Sequence, residues 1–408
     1  MITGSGIVAA NGVGHDAFWS SLISMRSGIV RVDRNGEISD SGSLVGQVRG
    51  FDPAAAMRTD VRKASRHSRT TQMAYAAALE AMAEADARGT DALARDAGWL
   101  VLIGVSLGGL HVFERELTDM LARGRQRMPP SGMASVNLNT STLIRDVFGL
   151  KARVGALTNT CAGGLDAILQ AAGEIRRGET TAALAGGSDA PIAPAIMSGF
   201  DAVGMMSHFR GDAERASRPF DILSEGAILA EGAAVVVMES LQSARFRGAR
   251  PIAEVLGGGV SSDPPGQAPG SGLEESMVRA LADASVLPSD IQYISAHGPG
   301  EPAIDREEGK AIVRVFKNQS RRIPLSSIKG VTGNPLAAGG PMQVVSCLLA
   351  MRHGRLPPTA NLEHPDPALA LDLIRNEPRG THAACMLVNS HGMGGVNTSL
   401  VLRVWRDG

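Results

Sequence analysis

Several things are scarce in this sequence, and each scarcity rules something out. Only three of the 408 residues are cysteine, at Cys161, Cys347 and Cys385. Thiols so few and so scattered build neither a disulfide framework nor a zinc cluster, and no other metal-ligand pattern stands out. They fit a reducing, cytoplasmic home. The formal net charge is −1, so nothing global attracts nucleic acid or an anionic membrane. No apolar run approaches the roughly 18 residues that a spanning helix needs. The opening MITGSGIVAANGVG has no basic region and is broken by glycine, so it reads as strand and turn rather than as a signal peptide. Aromatic residues make up only 3%.

What is present is a folding composition, 44% hydrophobic and 20% charged, with 49 glycines and 17 methionines. Such small and soft side chains allow close backbone packing and adaptable pockets. Short apolar runs alternate with amphipathic helical stretches. The strand-like runs are 99–106, 153–157, 181–187, 233–240, 291–298 and 384–392, and 70–86 and 273–285 are clear helical patterns. This alternation predicts an α/β protein with mixed or parallel sheets covered by helices. Two stretches open in the same style, Ile2-Thr3-Gly4-Ser5-Gly6 and Ala253-Glu254-Val255-Leu256-Gly257-Gly258-Gly259, a weak sign of duplication. Loops are expected at 33–50, 207–219 and 258–272, the last being the clearest flexible stretch.

The segment Thr158-Asn159-Thr160-Cys161-Ala162-Gly163-Gly164 lies between a strand, RVGAL, and a helical pattern that closes at Arg176, Arg177 and Gly178. Cys161 therefore falls at a helix start, where free N–H groups and the positive dipole end favour a thiolate. Gly163 and Gly164 would leave room for a substrate, at about 1 kcal/mol each in helix propensity. A free cysteine is also a common core residue. Locally the two readings balance. Cys347 in an apolar helix and Cys385 in a strand read as core.

A thiolate nucleophile needs a proton-transfer partner and oxyanion donors. Three stretches offer them. Ser295-Ala296-His297-Gly298-Pro299-Gly300 puts a histidine at a strand end. Lys329-Gly330-Val331-Thr332-Gly333-Asn334-Pro335 precedes a small-residue helix, where Asn334 is either a functional group or merely an N-cap before Pro335. Asn389-Ser390-His391-Gly392-Met393-Gly394-Gly395 is a glycine-rich turn able to present N–H groups.

In this order these blocks resemble the β-ketoacyl synthases, the condensing enzymes of fatty-acid and polyketide assembly. TNTCAGG resembles the cysteine block, and HGPGEPAID with Asp305 and Glu308 the histidine block. SSIKGVTGNPLAAGG resembles the lysine block, and NSHGMGGVN the C-terminal one. Arg218-Pro219-Phe220-Asp221, ILAEGAAVVVMESLQSARFRGAR and TGSGIVAANG match as well, so the likeness spans nearly the whole chain. It implies the thiolase fold, with duplicated βα halves in a five-layered α-β-α-β-α arrangement, usually dimeric. The halves are expected at 1–248, with the cysteine, and 249–408, with the histidine, asparagine and glycine-rich turn.

The resemblance also implies roles. Cys161 would take the acyl group, with the N–H groups of Cys161 and Met393 as the oxyanion hole. His297 would help decarboxylate a malonyl-type extender, and Lys329 would orient the site. Leu107, Phe200 and Met393 match positions that line or gate the acyl pocket. No cofactor is bound, because substrates arrive on the phosphopantetheine of an acyl carrier protein. The basic cluster Arg62, Lys63, Arg66 and Arg69 lies where related enzymes dock that acidic carrier, and its plain alternative is a solvated helix face. The expected assembly is a homodimer, or a heterodimer with a ketosynthase-like partner subunit.

The sequence departs from the family pattern at several points. Asn334 stands where the elongating branch has a second histidine; asparagine can donate a hydrogen bond but cannot carry charge or shuttle a proton. Pro335 reshapes that loop, and Gln343 stands where a glutamate is common. His391 and Met393 replace phenylalanines; His391 adds a titratable group near the site, where it either partly compensates for the lost histidine or has a plain structural role. These changes point to a specialised, secondary-metabolite enzyme. Decarboxylative condensation is the first reading. A non-decarboxylating acyl transfer that forms an ester or amide, or passes the chain on, is the second. A chain-length-factor-like subunit is disfavoured by Cys161, and a papain-like protease by the absence of a tryptophan-containing cysteine block.

Overall fold

The computed structural model describes residues 1–33, 36–57, 59–89, 93–94 and 98–406. Ten strands build the centre: β1 (Ile2–Ala9), β2 (Trp99–Gly104), β3 (Ala152–Leu157), β4 (Ala182–Asp189), β5 (Gly232–Glu239), β6 (Ala253–Ser262), β7 (Tyr293–Ser295), β8 (Pro324–Ser326), β9 (Cys385–Gly392) and β10 (Val396–Val404). The order is β3-β2-β4-β5-β1 in the first half and β8-β7-β9-β10-β6 in the second. In the first half β3, β2 and β4 run parallel, and β5 is antiparallel to both β4 and β1. The second half repeats this pattern strand for strand. β1 and β6 touch through Ile2 and Ala253, which joins the two sheets edge to edge. The duplication that two short glycine-rich stretches hinted at is thus explicit in the topology.

The helices repeat too. In the first half the main ones are α1 (Arg69–Ala87), α2 (Leu110–Ala122), α3 (Leu138–Phe148), α4 (Gly163–Arg176) and α5 (Pro194–Ala202); in the second they are α6 (Leu273–Asp283), α7 (Pro302–Phe316) and α8 (Gly339–His353). Side chains alternate across each strand. Leu100 and Leu102 of β2 and Met386 and Val388 of β9 face a central apolar cluster with Leu165, Ile168, Val344 and Leu348 of α4 and α8. Trp99, Val101 and Ile103 face the opposite way, onto α1 and α3. Leu387 faces α6 and α7. The result is five layers, with α4 and α8 between the two sheets. Burial of this kind contributes about 1.5–3 kcal/mol per large apolar side chain.

The glycines that open each half have a packing reason. A Cβ on Gly4 or Gly6 would lie 2.1 or 2.0 Å from carbonyl oxygens of α1, and one on Gly259 would lie 2.2 Å from the Ser276 carbonyl of α6. Each outer helix sits on its first strand at a distance only glycine permits. The expected flexible stretch 258–272 is different from expectation: it is strand as far as Ser262, and Asp263 then accepts N–H bonds from Gly270 and Gly272, both at 2.8 Å. The loop at 33–50 likewise contains a strand, Ser43–Gly46, paired with Ile29–Val32. Among the described residues no helix is long and apolar enough to cross a membrane.

Candidate active site

The two central helices begin side by side. A one-turn 3-10 segment, Thr160–Ala162, leads into α4, and its counterpart Leu336–Ala338 leads into α8. In sequence the two starts read TCAGG and LAAGG, a repeat too short to stand out from the sequence alone. Thr160 and Leu336 are both left-handed, with φ of 47° and 49°. Such a backbone costs of order 1–3 kcal/mol at a non-glycine residue and needs tight surroundings to hold it. Those surroundings are mutual: a Cβ on Gly164 would sit 2.1 Å from the Ala337 carbonyl oxygen, and one on Gly340 would lie 2.6 Å from Leu165 Cβ. The room expected for a substrate at Gly164 is therefore taken up by the opposite helix start.

Cys161 is 5% exposed. Burial pushes its thiol up to about 11; the nearby Asp189 carboxylate adds to this, while Lys329 and the N–H groups of Met393 and Cys161 oppose it. Desolvation outweighs the helix start, so the resting group is a thiol and not the thiolate expected from sequence. The two N–H groups that favour the thiolate are those of Cys161 itself and of Met393, in the turn between β9 and β10. That turn is locked to the cysteine segment: Thr160 Oγ1 donates to Met393 O at 3.0 Å, and Ser390 Oγ donates to Cys161 O at 3.1 Å.

His297 follows the end of β7 by two residues and is buried. Glu308 of α7 accepts its backbone N–H at 2.9 Å and that of Gly298 at 2.8 Å, and Asn389 donates to the same carboxylate at 3.1 Å. Lys329 Nζ donates to the His297 carbonyl and lies 3.4 Å from His297 Nδ1. An ammonium beside Nδ1 makes that nitrogen the acceptor, so the ring proton sits on Nε2. Burial, followed by the charge of Lys329, holds His297 well below the usual histidine range, and the ring is neutral. Burial also lowers Lys329, to about 8, against the pull of Glu308, Cys161 and Asp305. Gln343 Oε1 is 3.4 Å from Nζ, and its amide nitrogen donates to the carbonyls of Ser295 and Ala296 at 2.9 and 2.8 Å.

Asn334 is 4% exposed, and its backbone pairs with the 228–230 segment: its N–H donates to Ile228 O at 2.7 Å, and its carbonyl accepts from Ala230 N at 2.9 Å. It caps no helix. Its side-chain Oδ1 is buried with no protein partner, a costly state for a polar atom unless a ligand completes it. The capping alternative is therefore excluded.

Asp189, at the end of β4, is a further organising group. It accepts N–H bonds from Ser106, Leu107 and Gly108 at 2.8–2.9 Å and from Ala337 at 3.0 Å, and burial raises its carboxyl to about 6. It fixes the Leu107 loop against the second helix start. Its signal in the sequence is an acid closing an otherwise small and apolar strand.

Cys161 shares an apolar cluster with Phe200 and Met206 and with Leu229 and Leu336, and Leu107 and Met393 pack against it. A cavity of about 1060 Å³ adjoins this cluster through Ala193 and Met206 and opens among Arg31, His111, Arg115 and His208. Leu107, Phe200 and Met393 are thus gathered around the thiol. His391 lies edge-on to His297, with ring centroids 5.9 Å apart. Of the basic cluster, Arg62, Lys63 and Arg66 are exposed. Arg69 is not free to dock a partner: it pairs with the buried Glu231 at 2.6 Å and donates to Val48 O.

Known proteins give the same picture. Residues 1–244 match the family description "Beta-ketoacyl synthase, N-terminal domain", and residues 252–363 match "Beta-ketoacyl synthase, C-terminal domain". A 3-oxoacyl-[acyl-carrier-protein] synthase 2 of Coxiella burnetii is 33% identical, covering 98% of this chain and 97% of the relative. A putative polyketide beta-ketoacyl synthase 1 of Streptomyces halstedii is also 33% identical, with the same coverage. The solved ishigamide ketosynthase/chain length factor superposes with a TM-score of 0.89 at 29% identity, over 99% of this chain and 98% of that one. A structure described as a type II PKS acyl-carrier protein in complex with its ketosynthase bound to the hexaketide, AntDE:AntF, matches with a TM-score of 0.88 at 29% identity, over 99% and 98% of the chains.

Proposed function

This chain belongs to the β-ketoacyl synthase family, and we propose that it is an acyltransferase that loads an acyl group onto Cys161 and condenses it with a malonyl-type extender. Both substrates arrive on the phosphopantetheine of an acyl carrier protein, in polyketide or specialised fatty-acid assembly. The observation that carries this reading is the buried Cys161 thiol beside the Met393 turn, with His297 and the Lys329–Asn334 stretch brought from two other segments.

In the first half-reaction the Cys161 sulfur attacks the acyl thioester. A new carbon–sulfur bond forms, the pantetheine sulfur leaves, and the thiol proton passes to that leaving group. The negative oxygen of the tetrahedral intermediate lies toward the N–H groups of Cys161 and Met393. In the second, the carbon–carbon bond of the malonyl group breaks, CO2 leaves, and the electron pair becomes an enolate. His297 Nε2–H and the Asn334 amide donate to the enolate oxygen, and Lys329 keeps the His297 proton on Nε2. The enolate carbon attacks the Cys161 thioester, and the released thiolate takes a proton. A neutral His297 serves this step as a donor without competing for the extender's carboxylate.

The cavity that reaches Ala193 and Met206 has room for the acyl chain. The exposed apolar side chains Phe113, Met133, Val136 and Leu138 suit contact with a second ketosynthase-like chain. The deciding experiment supplies acyl- and malonyl-carrier proteins and follows Cys161 mass, CO2 release and product mass. Acylation with CO2 release and a chain extended by two carbons or more is expected. Acylation without CO2 would transfer the assignment to ester or amide formation.

A further inference from the structure

The mechanism above leaves one buried titratable group unused. His391 ends β9 at 3% exposure, and its ring stands edge-on to that of His297, centroids 5.9 Å apart. Its Nδ1 lies 2.8 Å from Asn397 Oδ1. The Asn397 amide is oriented from behind, because its Nδ2 donates to Asp263 Oδ1 at 2.8 Å and to Gly395 O at 3.1 Å. Its Oδ1 can therefore only accept, and His391 Nδ1 must carry a hydrogen. Nε2 is then the nitrogen left to take or give a further proton.

Behind this pair stands a carboxylate. Asp263 Oδ2 is 3.9 Å from His391 Nδ1, a counter-ion in place for an imidazolium. The N–H groups of Gly270 and Gly272 hold Asp263, and Gly395 packs on it so closely that a Cβ there would lie 3.0 Å from Asp263 Cβ. This arrangement has the logic of a catalytic histidine held by an acid through an intermediary.

We propose that His391 is the second proton-carrying histidine of this site and supplies the positive charge for enolate formation that Asn334 cannot. The inference rests on the condensation reading. As the malonyl carbon–carbon bond breaks, CO2 departs and negative charge gathers on the enolate oxygen, held by His297 Nε2–H and Asn334. The imidazolium of His391 offsets that charge through the His297 ring it abuts; no proton is consumed at this step. His391 is thus a positioning and charge-supplying residue acting through His297. The titratable and charged groups facing it are Asp263 from the loop after β6, His297 from the segment after β7 and, behind His297, Lys329.

The test compares wild type with His391→Phe and Asp263→Asn, using malonyl-carrier protein for CO2 release and acyl-carrier protein for Cys161 acylation, from pH 6 to 9. His391→Phe is expected to slow CO2 release about tenfold more than it slows acylation. Asp263→Asn, which removes the counter-ion and leaves the ring in place, should slow CO2 release selectively in the same way, and that selectivity decides alone if His391→Phe does not fold. Equal slowing of both half-reactions in the variants overturns the proposal while leaving condensation intact. Absence of CO2 from the wild type at every pH brings down the condensation reading, and this inference with it.

Discussion

The starts of α4 and α8 are two copies of one structure put to different uses. Both have a left-handed residue, a 3-10 turn and a pair of glycines, and the second glycine of each pair packs on the other copy. In the first copy the second turn residue is Cys161, whose sulfur faces N–H donors. In the second it is Ala337, whose N–H is taken by Asp189, and the chemistry has moved upstream to Asn334 and Lys329. Duplication supplied two equivalent helix ends, and the close contact between them brought a nucleophile and its donors within one buried volume. The lesson is that the site belongs to the junction and to neither half.

The largest test of this comparison makes the copies alike. Cys161→Ala turns TCAGG into TAAGG. It should abolish acylation in an intact-mass assay, while thermal unfolding reports a loss of about 1 kcal/mol or less, since little volume is removed. A labelled protein would show that the acyl group resides elsewhere.

The contact itself is broken by Gly164→Ala. The added methyl would meet the Ala337 oxygen at 2.1 Å, so a destabilisation of about 2–4 kcal/mol is expected in denaturant unfolding. Gly199→Ala in α5 meets nothing within 4 Å and should instead stabilise by about 0.5–1 kcal/mol. Equal effects at the two sites would mean that the helix junction is not tightly packed.

Lys329 has no counterpart in the first copy, and its burial gives the second a pH signature. Its folded value, about 8, lies below its ordinary 10.5. The unfolded chain therefore binds more protons between pH 8 and 10.5, and stability rises with pH across that window. Wild type should gain at most about 3 kcal/mol there relative to Lys329→Met. Condensation should move the other way, falling above pH 8 as the ammonium beside His297 is lost. Parallel stability curves for the two proteins would refute the buried charge.

The smallest expected effect extends the comparison to the outer layers. Arg62, Lys63 and Arg66 precede α1, whereas Glu274 and Glu275 begin its counterpart α6. Reversing the three basic charges should weaken carrier-dependent acylation several-fold, by about 1 kcal/mol, with acylation from a free thioester unchanged. Arg69 is the contrast: its removal would leave Glu231 buried and unpaired, and the readout would be lost stability.

Much of this was legible early because it is local. The strand runs, the helix before Gly178, the expected nucleophile and the basic cluster each occupy a few consecutive residues whose periodicity or turn chemistry is self-contained. The family resemblance then ordered the blocks. The misreadings share one cause: they concern groups whose partners are distant in sequence. Cys161 looked like a thiolate because the helix start is local, whereas the burial that keeps it a thiol comes from segments around residues 189, 336 and 393. Asn334 looked like a possible cap for want of any sight of its unpaired Oδ1. Arg69 looked solvated because Glu231 is 162 residues away.

By itself, then, the sequence determined the elements, their alternation and the chemical types available, since propensity, periodicity and turn residues act over a few positions. The tertiary structure alone decided which of those groups meet, which are dry and which carry charge. Desolvation and Coulomb interaction depend on what surrounds a group in space, and here every decisive neighbour of Cys161 beyond its own turn comes from another part of the chain.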